Sequence, residues 1–431
     1  MKQIGILGGG IAGLSLSYFL GPDSEVLEKD SECGGLCRSF QKEGFTWDIG
    51  GHIIFSKDTE ILDFELSLLG DKVARFYRRN SVWFKRRFVK YPFENGLSAL
   101  DKEDIFECLY HFIADKPGPQ NNFRDWIYNT FGRGLAEKYL IPYNTKIWKT
   151  RPEEMGTAWV ERIPRPPVED VIKSALGIET EGYVHQLYFY YPKSGGFQVL
   201  PKSFEEQIGD RIIRNFPVTG VRRVADGWVV SDGRSERRYE KIVCTMPIFD
   251  FVAALERVPP EVGRAVDALK YNSLLVVLVG VAKPKLTDQF AVLVPQPDLP
   301  FHRLCFYGYY GPNYVPEGAS SVVAEITARE GDELWSLSDE QIAFRVVEGL
   351  DREGFLNRKD VFLTDVRRIK YAYVIYDLGY EKNRRVVHDY CRAQGIELCG
   401  RFAQFQYDNS DAVIRSAKTV ATRLLDGAAG R

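Results

Sequence analysis

The chain has 431 residues, 45% hydrophobic and 13% aromatic, and its 57 Lys and Arg nearly balance 59 Asp and Glu for a net charge of −2. That length exceeds one simple core, so two or three domains are expected. The balanced charge excludes a general attraction to nucleic acid or anionic membrane, and the apolar run Leu274 to Ala282 falls far short of the roughly 20 residues that span a bilayer.

In chain order, a short apolar strand, Ile4 to Leu7, runs into Gly8-Gly9-Gly10-Ile11-Ala12-Gly13 and an apolar helix, and a second strand ends at Glu28. Glycines there permit a tight turn and close approach of backbone N–H groups to a pyrophosphate. The helix N-terminus adds a favourable dipole, and an acid about 20 residues on accepts ribose hydroxyls. Gly8, Gly10, Ile11, Ala12 and Gly13 are therefore expected around the phosphates, and Glu28 and Lys29 at the ribose. A secretory signal is the rival reading of this start; the triple glycine and the lack of a cleavage region argue against it.

Residues 75–93 read as a β-hairpin with Lys85-Arg86-Arg87 at its turn, and Ser98 to Leu176 as a helical insert with apolar residues at three- and four-residue steps. Strands return between 185 and 200, followed by a helix near Pro201. A β meander over 212–247 ends in a buried strand and rejoins the nucleotide fold, which brings Val218 and Thr245 to the cofactor. Strands of a second sheet fill 270–325 and 361–376, with a helix at 339–350 between them. Ile396 to Arg401 reads as a buried strand and Asp411 to Leu425 as an amphipathic helix that closes the first fold. The seven cysteines are scattered and odd in number, which suits a reducing cytoplasm rather than a disulfide framework. Neither they nor the five histidines show metal-ligand spacing, so no metal is expected, and no Ser-His-Asp or Cys-His arrangement emerges.

Two further glycine pairs favour FAD over NAD. Glu32-Cys33-Gly34-Gly35-Leu36-Cys37-Arg38 lets backbone at Gly35 and Leu36 and the Arg38 guanidinium meet an extended dinucleotide. Trp47-Asp48-Ile49-Gly50-Gly51-His52 lets backbone lie against a flat ring. With these motifs the chain resembles the flavoproteins that include amine oxidases, protoporphyrinogen oxidase and UDP-galactopyranose mutase, and it is most similar to the eukaryotic-type mutases. The resemblance covers most of the chain in order: Tyr91-Pro92-Phe93-Glu94-Asn95, Pro142 to Trp148, Ala158-Trp159 with Glu161-Arg162, Tyr191-Pro192 with Gly195-Gly196, Pro300-Phe301-His302-Arg303, Arg367-Arg368 with Tyr373, and Gly400-Arg401-Phe402 with Tyr407.

This resemblance implies an α/β fold: a Rossmann-like FAD-binding domain (1–75, 201–255, 385–431), a helical domain (96–180) and a second, antiparallel β-sheet domain (76–95, 181–200, 256–384). It implies a flavin-dependent mutase in which reduced flavin N5 attacks the anomeric carbon of a nucleotide-diphosphate sugar, and the ring opens and recloses as a furanose. NADPH or NADH would prime the flavin. Arg162 and Arg303 match diphosphate- and substrate-binding arginines, and a guanidinium fork suits bidentate phosphate contact. Tyr373 and Tyr407 match hydroxyl donors to the diphosphate, Asn144 and Trp148 match ribose contacts, and Tyr91 and Phe93 match further substrate contacts. His52 matches a histidine beside the flavin. Gly50, Gly51, Gly400, Arg401 and Asp411 match contacts to the flavin and its pyrophosphate.

Three departures stand against the pattern. Glu94 replaces a glutamine that faces uracil, Leu293 a tyrosine on the diphosphate, and Gln186 an asparagine near the sugar. A carboxylate accepts but cannot donate, so Glu94 suits guanine's paired N–H donors better than uracil O4; alternatively Asn95 takes the glutamine's role. A redox enzyme of the same fold, an oxidase or desaturase, and a non-catalytic nucleotide-binding protein are the other two functions open to the chain.

Overall fold

The computed structural model describes residues 3–160, 163, 165–180 and 187–429. A five-stranded parallel sheet forms one half of the molecule, in the order Glu397–Leu398, Lys241–Cys244, Ile4–Leu7, Ser24–Leu27, Ile212–Ile213. Its central strand, Ile4–Leu7, is buried throughout, as expected of a parallel strand covered on both faces. Helix α1 (Ile11–Leu20) leaves it at Gly10 and packs against the C-terminal helix Ser410–Ala429. Helix α2 (Thr59–Leu69) lies beside that C-terminal helix.

The helical insert contains α3 (Lys102–Ala114), α4 (Phe123–Leu135), α5 (Ile141–Trp148) and α6 (Val168–Ala175). One turn of π-helix, Ala136–Leu140, joins α4 to α5. Gly132 in α4 has φ +68, and a Cβ there would meet the His111 carbonyl at 2.4 Å, so this glycine allows α3 and α4 to close together. Helix α7 (Val199–Ile208) belongs to the nucleotide half, where it packs on α1 and α2.

A seven-stranded sheet forms the other half, centred on the long strands Lys270–Val281, Ser320–Ala328 and Val361–Ile375. It is antiparallel except at one junction. Ala291–Leu293 runs parallel to Asn80–Phe84, so the expected antiparallel sheet is in fact mixed. This pairing joins residues some 200 apart, and short-range alternation carries no information about its direction.

Two local expectations also change. Only Asn80–Phe84 and Arg87–Lys90 form the hairpin, with Lys85 and Arg86 turning at positive φ, while Val73–Tyr77 pairs with Tyr188–Pro192 in a separate ribbon. The strand expected over 396–401 is confined to Glu397–Leu398, because Gly400 turns the chain at φ +97.

Candidate functional site

The nucleotide cradle follows from its glycines. A Cβ on Gly13 would stand 1.9 Å from the Gly8 carbonyl, and one on Gly9 would stand 2.7 Å from Glu28 Oε2. Gly10 faces open space. The second glycine pair closes over the first: Gly34 N–H donates to the Gly9 carbonyl at 2.8 Å, and Gly35 packs on Gly10. Glu28, buried, accepts from Gly9 N–H at 2.8 Å and from Asp30 N–H at 2.9 Å. Burial nevertheless holds its carboxyl above the usual range.

Thr245 donates its hydroxyl to the carbonyls of Leu7 and Gly8, which fixes the turn from the neighbouring strand. Gly400 touches Ala12, and a Cβ there would clash at 2.6 Å, so the Gly400-Arg401 turn lies directly over the start of α1. Val218 follows Phe216, whose N–H donates to the Glu28 carbonyl, and Lys29 is exposed beside that edge.

Arg38 bonds Asp30 through Nη1 at 3.3 Å, while its Nε is buried without a partner among the described residues. Arg401 donates through Nη2 to the Ala372 carbonyl at 2.6 Å, lies 4.0 Å over the Tyr407 ring, and likewise has an unpaired buried Nε. His52 stacks on Phe197 with centroids 4.9 Å apart, and its Nδ1 is buried and unpaired. Burial, then the charges of Arg303 and Arg401, lower its pKa to about 3, so the ring is neutral. A cradle of obligatory glycines, open at Gly10 and flanked by the Arg38 and Arg401 guanidinium groups, fits a dinucleotide pyrophosphate.

Below the Gly50-Gly51 turn, Asp48 accepts from Ser39 Oγ and Tyr191 hydroxyl at 2.5 Å and from Phe197 N–H at 3.0 Å. Burial outweighs these donors and raises its pKa to about 6. The glycine pair lies against protein on one side: Cβ atoms there would meet Arg303 and Glu325 at 3.5 Å and Cys305 Sγ at 2.9 Å.

Arg303 is held on the strand Arg303–Cys305 by Glu325, which also accepts from Gly51 N–H at 3.0 Å and Tyr373 hydroxyl at 3.4 Å. Burial opposes the Arg303 charge, but Glu325 more than compensates and keeps the guanidinium cationic. Its Nη1 makes no hydrogen bond to a described residue. Glu325, which the sequence reading missed, carried one available signal: it is the sole charged residue of the strand Ser320–Ala328, buried at every position. Arg78 was missed as well. It is half-buried near Tyr91, feels the Arg303 charge, and lies over Phe55.

The structure gathers most of the expected substrate residues around this cation. Tyr373 and Tyr407 face each other at 6.0 Å, and Trp148 meets both edge-on at 6.0 and 5.8 Å. Asn144 and Trp148, one helical turn apart on α5, bond each other, Nε1 to Oδ1 at 3.0 Å, and the Asn144 amide donates to the Leu140 carbonyl. Their polar atoms are thus largely spent within the helix, which leaves the indole face as the contact surface.

The end of α5 is clamped from the large sheet. Arg329 donates to the Lys149 carbonyl at 2.6 Å and to Thr150 Oγ1 at 2.8 Å, and Asn272 donates to the Trp148 carbonyl at 2.6 Å. Phe93, Tyr139 and Tyr143 form a stacked run beside buried Glu94 and Tyr91. Leu293 pairs in register with Arg303. Arg162 and Gln186 lie outside the described residues. Asp411 opens the C-terminal helix and accepts from Ser56 at 2.5 Å. Among the described residues no group of His, Cys, Asp and Glu can hold a metal, and no helix is long and apolar enough to cross a membrane.

The model of the flavin-containing amine oxidoreductase family matches residues 11–425, which include Gly13, Glu28, the Gly34-Gly35 pair and the Arg401 turn. The chain belongs to that family. Its fold is that of a crystal structure of reduced UDP-galactopyranose mutase, with a TM-score of 0.90 at 24% identity over 99% of this chain and 96% of that one. Cyclohexylamine oxidase from Brevibacterium oxydans shares the fold at a TM-score of 0.69 and 16% identity, covering 99% of each chain. In sequence, an L-amino-acid oxidase of Demansia vestigiata is 22% identical over 81% of this chain and 70% of its own. Family membership makes FAD the cofactor that the cradle fits.

Proposed function

We propose that the protein is a flavin-dependent mutase interconverting the pyranose and furanose forms of a nucleotide-diphosphate sugar. The observation that carries this reading is Arg303: a cation with two nitrogens pinned by Glu325 and a third unspent, beside Tyr373, whose ring Trp148 and Tyr407 adjoin. Such a group stabilises the growing negative charge of a departing diphosphate, whereas a protonated amine would be repelled there. Burial and Glu325 keep the Tyr373 hydroxyl protonated, so it can turn from its 3.4 Å bond to Glu325 toward a phosphate oxygen. Tyr407 and Arg162 are assigned to the same anion, Trp148 to the nucleoside and Gln186 to the sugar. His52, being neutral, orients the reacting partners and supplies no charge.

When bound, reduced FAD supplies the electron pair that displaces the nucleotide diphosphate, so the protein needs no nucleophile of its own. NADPH or NADH is the expected reductant. Glu94 sets base choice and favours a base with paired N–H donors over uracil; comparing UDP and GDP binding to wild type and Glu94→Gln checks this. All seven cysteines are free and buried, which supports a cytoplasmic location.

Family membership and the amino-acid oxidase relative favour a second reading, an FAD-dependent oxidase or desaturase. One experiment separates the two: a panel of nucleotide sugars is incubated with dithionite-reduced enzyme and the products are examined for furanose. Ring-contracted product from any member supports the mutase. None from the whole panel, together with substrate-driven flavin reduction in air by an amine or polyene, overturns it. Arg303→Ala should cost the mutase at least about 1.5–3 kcal/mol of transition-state stabilisation in kcat/KM, the scale of a charged hydrogen bond.

A further inference from the structure

The Gly195-Gly196 turn is pressed onto Asp48. Both glycines take positive φ, +81 and +76, and a Cβ on Gly196 would stand 2.2 Å from Ser39 Oγ and 2.8 Å from Asp48 Oδ1. The next residue, Phe197, donates its N–H to Asp48 Oδ1 at 3.0 Å. Ser39 bridges the two segments, donating to the same carboxylate at 2.5 Å and accepting from Gln198 N–H at 3.0 Å. Tyr191, on the strand that leads into the turn, donates to the other carboxylate oxygen at 2.5 Å.

This anchor fixes a ring. Phe197 has no exposed surface, and its face stacks on His52 with 4.9 Å between centroids and 26° between planes. Tyr190 and Ile54 exchange both backbone hydrogen bonds, at 2.8 and 3.0 Å, so residues 190–197 grip the His52 loop at Asp48 before the histidine and at Ile54 after it. One residue before His52, Gly51 donates to Glu325, the partner of Arg303. His52 itself keeps exposed surface, so a ligand can reach it. The terminal torsion of an imidazole is broad when nothing lies against the ring, and the Phe197 face restricts it.

We propose that Phe197 is a positioning residue: anchored on Asp48, it sets the ring plane of His52 against the flavin. It acts through His52 and touches no ligand, being wholly enclosed. The inference rests on the placement of His52 at the flavin, and it holds whether the enzyme is a mutase or an oxidase.

The midpoint potential of bound FAD, read by dye equilibration of the holoenzyme, tests it with Phe197→Leu, His52→Ala and the double variant. The expected result is that each single change shifts the potential and that the double variant shifts it no further than His52→Ala alone, because the two residues act on the flavin as one. A general loosening of the fold would persist in the His52→Ala background, so additive shifts overturn the proposal, as does a wild-type potential in Phe197→Leu. A wild-type potential in His52→Ala also overturns it, by removing His52 from the flavin; the nucleotide-sugar panel, read in furanose, decides the mutase separately. Should Phe197→Leu not fold, Phe197→Met takes its place, since a flexible thioether fills the space without offering a flat face.

Discussion

Arg303 and Glu325 meet in a two-point ion pair, Nε to Oε1 at 2.7 Å and Nη2 to Oε2 at 2.6 Å, with Glu325 wholly buried. The same carboxylate accepts from Gly51, so one residue fixes both the cation of the site and the glycine turn beside the cofactor. Removing it strands a cation that is itself largely enclosed. Glu325→Ala should therefore lower unfolding free energy by about 3–5 kcal/mol in urea melts of the holoenzyme.

Gly13 offers a sharper test of the cradle. A methyl there must displace the Gly8 carbonyl, only 1.9 Å away. Gly13→Ala should purify with little flavin absorbance, while Ala substitution at Gly10, which faces open space, tests the direct approach of the cofactor and should weaken FAD binding without disturbing the FAD-free fold in far-UV circular dichroism.

The His52 ring predicts a pH dependence. Its folded pKa, about 3, lies below the ordinary value of 6.5, so the unfolded chain binds the proton first as pH falls. The stability it contributes is fully present above pH 6.5 and is lost as pH drops toward 3. By about pH 4.5 the loss should reach about 3 kcal/mol relative to neutral pH. His52→Phe, which keeps a ring to stack on Phe197, should remove that part of the slope in urea melts measured across the window.

Arg329 anchors the Trp148 end of α5 through the Lys149 carbonyl and Thr150. Arg329→Met should cost at least about 2–3 kcal/mol, because buried acceptors lose a charged donor. Freed from its clamp, Trp148 should also shift its fluorescence relative to a Trp148→Phe control.

The nucleotide start was legible because its signal is local: glycine spacing, an apolar strand and a distant acid are all determined within 30 residues. Arg303 and Tyr373 on two strands, Tyr407 in a loop and Trp148 on α5 come together from four distant segments, and only the resemblance pointed to that. Glu325 and Arg78 escaped notice because the role of a buried charge depends on its partner across the sheet. The parallel pairing of Ala291–Leu293 was equally hidden, for a strand's own alternation is the same in either direction. The Asn144 and Trp148 pair could have been read directly, since residues four apart on a helix face each other.

The contact of Gly400 with Ala12, and the packing of Ser410–Ala429 on α1, join the two extremes of the described chain in one binding site. A chain that stops before residue 400 has the glycine turn and the Gly34-Gly35 pair but lacks the Gly400-Arg401 turn and the last helix, which pack on α1. Flavin capture should therefore await the last helix, and a product clipped before residue 400 should purify without yellow colour.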